Sequence, residues 1–219
     1  MTPLSEAIGA GMGTDAVRTM LILTMLAVVP AVLVSMTSFI RIVVVLSMVR
    51  HAFGMPETPP NIVLVSLALF LTGFTMTPTL DQLNRQAVTP LLNGRITVER
   101  AMERGQAPLK AFMLAQTRDA DIEAIYSIAK TPLPARAEEV QLLKLAPAFM
   151  LNELRIAFTI GFVVMLPFLL IDLIVASILL ALGMMMVPPA TISLPIKILM
   201  FVLIDGWSLI LQGVLGSFR

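Results

Sequence analysis

Long apolar runs on both sides of a single polar segment constrain the fold of this chain more than any other feature. Residues 20–40 and 61–80 carry no charge. Residues 156–171 and 173–196 are two further uncharged runs, separated only by Asp172. A membrane-spanning helix needs roughly 20 mostly apolar residues, and the alternation typical of membrane strands is absent. The runs therefore predict an all-α, integral membrane-associated protein built from helical hairpins.

The pair Pro188–Pro189 is a natural break in the second apolar region, so we expect four long apolar helices, two on each side of the polar segment. Glycine and proline recur inside the runs and predict broken helices, which neighbouring protein has to cover, so we also expect oligomerisation. The expected regions are a polar N-terminal lead (1–18), a first hydrophobic helical pair (19–80), a polar and mostly helical segment (81–146), and a second hydrophobic hairpin with a methionine-rich turn (147–219).

The polar segment differs from the rest of the chain in its charge. Charged residues make up 13% of the chain, against about 25% in soluble proteins, yet residues 81–144 hold 17 of the 29 charges. Good helix formers and an acidic start at Asp119 predict short amphipathic helices here. Arg50 and His51 favour a cytoplasmic first loop and hence a periplasmic polar segment. Residues 1–19 lack the basic start of a signal peptide and are expected to be retained.

The sequence argues against catalysis. It contains neither a G-x-x-x-x-G-K-[ST] phosphate loop nor a G-x-S-x-G nucleophile elbow. Its one histidine, His51, has no second histidine and no cysteine to complete a metal site. Asp172 and Asp205 would reach similar depth on the two sides of Pro188, but they lack the glycine-rich surroundings expected of an aspartyl intramembrane protease. We therefore expect no enzyme activity, cofactor or metal. The net charge of only +1 also argues against a nucleic-acid partner.

Six charged residues lie inside or beside the apolar runs: Arg41, Glu153, Arg155, Asp172, Lys197 and Asp205. Each costs roughly 2.5–3.5 kcal/mol on insertion scales, so such residues face a bundle interior, a water-filled path or a partner. Three are basic and three are acidic, so their charges balance. Two interpretations remain open: ion pairs between helices or subunits, or a relay for protons or ions.

A methionine run at a helix end is the most unusual local feature. Met184, Met185 and Met186 lie between Gly183 and the pair Pro188–Pro189, residue types that end a helix. The run is explained either by core filling or by a deformable seal, because the flexible thioether side chain adapts to differing neighbours.

Several motifs occur in a distinctive order: FIRIVVVL at 39–46, LALFLT at 67–72, AFML at 111–114, QTR at 116–118, LNELR at 151–155, GF at 161–162, LGMMMVPP at 182–189 and LIDGW at 203–207. In this order they resemble the FliP family of flagellar type III export-gate proteins. The injectisome counterpart, SctR, is similar over the same helices, although the proline pair and the middle segment look more like the flagellar branch.

The resemblance implies a structural, non-enzymatic role in the flagellar basal body of the bacterial inner membrane. It implies a homo-oligomer, a pentamer, that forms a channel with FliQ-like and FliR-like subunits and works with FlhB-like and FlhA-like export proteins. Unfolded flagellar subunits would pass through this channel. The alternatives are an injectisome export gate or a secondary transporter or proton channel.

The resemblance also implies roles for particular residues. Met184, Met185 and Met186 would line the pore as a gasket at the helix break that Gly183 and the two prolines produce. Glu153 would pair with Lys197, and we expect this pair to join neighbouring subunits, because a plain hairpin does not bring the two residues together.

Overall fold

The computed structural model describes residues 34–55 and 57–218, together with residues 20, 23, 27, 30 and 31. These residues form helices, turns and bends and no strand, which confirms the predicted all-α class. The polar lead expected over residues 1–18 lies outside the described residues. Much of the apolar run 20–40 lies outside them too, so the structure describes only part of the first predicted helix.

The described helices follow in chain order as α1 (Phe39–Ala52), α2 (Asn61–Leu83), α3 (Thr89–Leu92), α4 (Val98–Gln116), α5 (Asp119–Ile128), α6 (Leu142–Ala181), α7 (Pro189–Leu203) and α8 (Gly206–Leu215). A π-helical segment, Asn84–Val88, joins α2 to α3, and a 3-10 turn, Ala137–Glu139, precedes α6. The polar segment therefore contains α4 and α5, and α5 begins at Asp119 as predicted, with two acidic residues in its first turn.

The 40 residues of α6 make it about 60 Å long at a rise of about 1.5 Å per residue. It continues through Pro147, and also through Gly161 and Pro167, where we expected breaks. Gly73 and Pro195 likewise lie inside continuous helices, α2 and α7. A proline removes one backbone donor. The remaining backbone hydrogen bonds and the packing of the helix keep it continuous past each proline.

Two of the described helical stretches are long and apolar enough to cross a membrane, Asn61–Leu92 and Leu142–Ala181. The pair α7 and α8 would make a third span only if both helices cross together, because they are bent by 67°. Each candidate span contains a most apolar stretch of 18 residues. Only 28% of that stretch in Asn61–Leu92, and 17% of it in Leu142–Ala181, is buried within the chain. Much of their surface is thus free for lipid or for other subunits.

A sharp elbow separates α7 from α8, where we expected one helix running to the C-terminus. Asp205 adopts a left-handed conformation, with φ of 50°, between the two helices. The next residue, Gly206, lies against the ring of Phe201, and a Cβ there would come within 2.2 Å of ring carbons. The absence of a side chain at Gly206 therefore allows the elbow to fold back on α7.

The apolar core lies where α1 packs against α6, with α2, α7 and α8 at its edges. Gly161 lets α1 approach closely, because a Cβ there would lie 2.3 Å from the sulfur of Met48. Near the end of α1, Phe53 makes edge contacts with Phe168 and Phe201 at centroid distances of 5.2 and 4.7 Å. A second cluster joins α4 and α5 to the start of α6, so the polar segment is anchored on the longest helix.

Candidate functional site

Arg41 of α1 and Glu153 of α6 form a fully buried ion pair. Nε of Arg41 donates to Oε2 of Glu153 at 2.8 Å, and Nη2 donates to Oε1 at 2.5 Å. These two parallel bonds are the geometry in which a guanidinium binds a carboxylate most strongly. Neither side chain is exposed, so the pair holds α1 and α6 together out of contact with solvent.

Residues from two other parts of the chain complete the surroundings of Arg41. Its Nη1 donates to the carbonyl and to the hydroxyl of Ser217, both at 2.9 Å. Nη2 also lies 3.4 Å from Oε1 of Gln116, at the end of α4. The ring of Phe218 covers the guanidinium at 3.8 Å, a cation–π arrangement. Arg41 therefore connects α1, α6, the end of α4 and residues 217–218.

A second ion pair joins α6 to α7. Nζ of Lys197 donates to Oδ2 of Asp172 at 2.6 Å and to the carbonyl of Ala52 at 3.1 Å. Ala52 is the last residue of α1, where unpaired carbonyls give the helix end a partial negative charge. Lys197 thus caps α1 while it neutralises Asp172.

The ion pair predicted between Glu153 and Lys197 is not formed within one chain, because each residue has another partner there. Glu153 binds Arg41, and Lys197 binds Asp172. The expected contact between Glu153 and Lys197 of neighbouring subunits stays a prediction. The sequence marked all four residues as intramembrane charges but did not indicate which of them meet.

Arg155 pairs with a carboxylate from the polar segment. Its Nη1 and Nη2 donate to the two oxygens of Asp121, each at 2.8 Å, and Arg118 approaches the same carboxylate at 3.5 Å. The Asp121 side chain is 7% exposed, whereas that of Arg155 is 46% exposed. This contact ties α5 to α6 at the edge of the apolar region.

Asp172 and Asp205, which were expected at similar depth, lie in different surroundings. Asp172 is paired with Lys197, whereas Asp205 is exposed at the elbow. The depth estimate assumed a straight second helix, and the 67° bend between α7 and α8 removes that geometry. No feature of the two residues supports a shared acid–base site.

The methionine run forms the exposed tip between α6 and α7. Gly183 has φ of 73°, a conformation that glycine adopts without strain, and it turns the chain out of α6. Met184, Met185 and Met186 are 44%, 80% and 98% exposed, so none of them fills the core of this chain. A hollow of about 320 Å³ lies behind the tip, lined by Ala176, Leu179, Leu180, Met184, Met185, Val187 and Pro189.

A polar cavity of about 640 Å³ opens between the α4–α5 connection and α6. Gln116, Arg118, Asn152, Arg155 and Ser217 are among the residues that line it. Asn152 is fully buried and donates to the carbonyl of Gln116 at 2.6 Å, but its Oδ1 has no hydrogen-bond partner among the described residues. A polar cavity of this size has room for water that would satisfy this oxygen.

Comparison with known proteins identifies the family. The model of the FliP family matches residues 22–214, nearly the whole chain. The chain belongs to the FliP family. The flagellar biosynthetic protein FliP of Pectobacterium carotovorum is 51% identical over 94% of this chain and 80% of its own length. The FliP proteins of Bacillus subtilis and Aquifex aeolicus are 46% and 44% identical over 94% and 99% of the chain, and over 93% and 92% of their own lengths.

The match to the FliP family covers the methionine tip and the ion pairs that Arg41, Arg155 and Lys197 make. Three residues of the Arg41 site, Gln116, Ser217 and Phe218, received no role from sequence reasoning, because side chains distant in sequence meet only in the fold. Asn152 adjoins Glu153 in the LNELR motif, and its polarity within an apolar run was a usable signal. Among the described residues of this FliP-family chain, no three His, Cys, Asp or Glu side chains are grouped as a metal site would require.

Proposed function

We propose that this chain is a structural, non-enzymatic component of the flagellar type III export gate in the bacterial inner membrane. Membership of the FliP family carries the proposal, since the relatives are named flagellar biosynthetic proteins. That name favours the flagellar branch over the injectisome branch. Two helical stretches able to cross a membrane are consistent with this location.

In the proposed assembly, copies of the chain, five in number, form a ring with FliQ-like and FliR-like subunits in the basal body. FlhB-like and FlhA-like proteins deliver unfolded flagellar subunits to it. The outer surfaces of α6 and α7 support an assembly, because they expose many large apolar side chains, among them Phe158, Phe162, Leu170, Leu173, Leu180, Leu199, Val202 and Leu203. Apolar surface on this scale requires cover by lipid or by other subunits.

The methionine tip would act as the seal of the channel. Three exposed thioether side chains lie on a turn, and two of them, Met184 and Met185, line the hollow behind it. Unbranched side chains with three rotatable bonds fill irregular gaps. A ring of such tips would close a resting pore against ions and then adapt to an exported chain of any sequence.

A conductance measurement tests the seal. Replacing Met184, Met185 and Met186 together by alanine should raise ion conductance through the assembled gate in a planar bilayer, because apolar bulk is removed from the constriction. The matched control replaces the same three residues by leucine, which keeps the bulk and loses only flexibility, so its leak should be smaller. Unchanged conductance in the alanine variant, with the assembly intact, would remove the sealing role.

A proton or ion relay receives less support from the geometry. Two of the basic residues each pair directly with an acidic residue. Arg41 pairs with Glu153, and Lys197 pairs with Asp172. The Arg41 pair is fully buried and is held by further contacts. Such arrangements suit helix attachment better than stepwise proton transfer.

A further inference from the structure

Two residues of the methionine tip are the most exposed of all the methionines that the structure describes. Met185 is 80% exposed and Met186 is 98% exposed. Met76 and Met113, by contrast, are buried within the fold. A small dissolved molecule therefore reaches the two tip side chains directly, whereas packing shields the buried ones.

This exposure has a chemical consequence, because the thioether of methionine is an oxidisable group. When the sulfur attacks one oxygen of hydrogen peroxide, the O–O bond breaks and an S–O bond forms. The sulfur loses two electrons to the peroxide, and the second oxygen leaves with both protons as water. The product, methionine sulfoxide, is polar, and sulfoxide reductases return it to methionine with a thiol as reductant.

The surroundings of the tip are apolar, so a polar product would change them. The run of residues 173–196, which contains the tip, carries no charge. Every residue that lines the hollow behind the tip is alanine, leucine, methionine, valine or proline. An apolar constriction stops ions because water does not fill it. A sulfoxide oxygen accepts hydrogen bonds from water, so oxidation would draw water into a constriction made of these tips.

We propose that the methionine tip is an oxidation site, at which hydrogen peroxide converts Met185 and Met186 to sulfoxides and thereby opens the seal to ions. The inference rests on the proposed sealing function and adds a chemical regulation of it. Reduction of the sulfoxides closes the seal again. The leak of the gate therefore follows the redox state of its surroundings.

The conductance of the assembled gate in a planar bilayer, measured before and after treatment with hydrogen peroxide, tests this inference. Mass spectrometry of peptides from the treated gate should find sulfoxide at Met185 and Met186, while Met76 and Met113 stay unoxidised. The conductance should rise about fivefold, the change in an equilibrium that the usual net free energy of one hydrogen bond produces. Methionine sulfoxide reductases with a thiol reductant should restore the original conductance.

Two variants serve as controls for the oxidised position. Replacing Met184, Met185 and Met186 together by leucine removes the sulfur and keeps the apolar bulk, so peroxide should not change the conductance of this variant. Met102→Leu removes an exposed methionine of α4, outside the tip, and should leave the response to peroxide intact. A leucine tip that responds as strongly as the original chain would overturn the inference. Absence of sulfoxide at the tip, or sulfoxide there without a rise in conductance, would overturn it too.

The alanine variant of the tip distinguishes failure of this inference from failure of the sealing function. If the alanine variant conducts ions and the oxidised original chain does not, the seal stands and the regulation by oxidation is wrong. If neither of them conducts ions, both proposals are wrong.

Discussion

At the residue scale, Arg41 demonstrates what a buried charge requires in this chain. Its guanidinium has a carboxylate, a backbone carbonyl, a hydroxyl and an aromatic ring as neighbours, so its charge and its donors are satisfied without water. Removing one member of such a pair leaves the other as an uncompensated buried charge. Replacing both members by apolar residues of similar size avoids that penalty.

We therefore expect Glu153→Ala to lower the free energy of unfolding by roughly 3–5 kcal/mol, since Arg41 would stay buried without its carboxylate. The double variant Arg41→Met with Glu153→Leu should recover most of this loss. Thermal unfolding in mild detergent, followed by the fluorescence of the single tryptophan, Trp207, measures both. A single variant as stable as the original chain would mean that the pair contributes nothing to the fold.

At the element scale, the elbow between α7 and α8 depends on one missing side chain. The ring of Phe201 occupies the space that a Cβ on Gly206 would need. We expect Gly206→Ala to destabilise the chain by about 1–3 kcal/mol, the usual range for overpacking. Gly213→Ala on the same helix is the control, because nothing lies within 4 Å of the position that a Cβ would take there and helical alanine is favoured over glycine by up to ~1 kcal/mol.

Opposite signs for the two glycine substitutions in the same unfolding measurement would support this account of the elbow. If Gly206→Ala proved as harmless as Gly213→Ala, the close approach of Phe201 would not constrain α8. The fluorescence of Trp207, whose ring meets Phe201 at 5.4 Å, should also shift in the Gly206 variant alone.

The elements were predictable to different degrees for physical reasons. Apolar runs indicated helices, and an acidic first turn indicated the start of α5. The continuity of α6 through Pro167 was not predictable from local rules, because packing and the rest of the backbone ladder outweigh one missing donor. The pairing of Glu153 with Arg41 required two residues that are 112 positions apart to be placed together, which periodicity and spacing do not encode.

At the scale of the whole molecule, the positions of the charged residues indicate how the chain is oriented in the membrane. Arg50, near the end of α1, hydrogen-bonds to Asn61 at the start of α2, so the loop between these helices is held at its basic end. The polar segment is separated from this loop by α2, one of the candidate spans. A basic loop favours the cytoplasm. The two regions should therefore lie on opposite sides of the membrane.

Single cysteines in this naturally cysteine-free chain test that topology. Ala135→Cys, in an exposed part of the polar segment, should react with a membrane-impermeant maleimide when only the outer membrane is permeabilised. Glu57→Cys, in the exposed first loop, should react only after the inner membrane is opened. Labelling of both positions from outside would place the loop and the polar segment on the same side. It would mean that α2 is buried against sibling subunits and does not cross the bilayer.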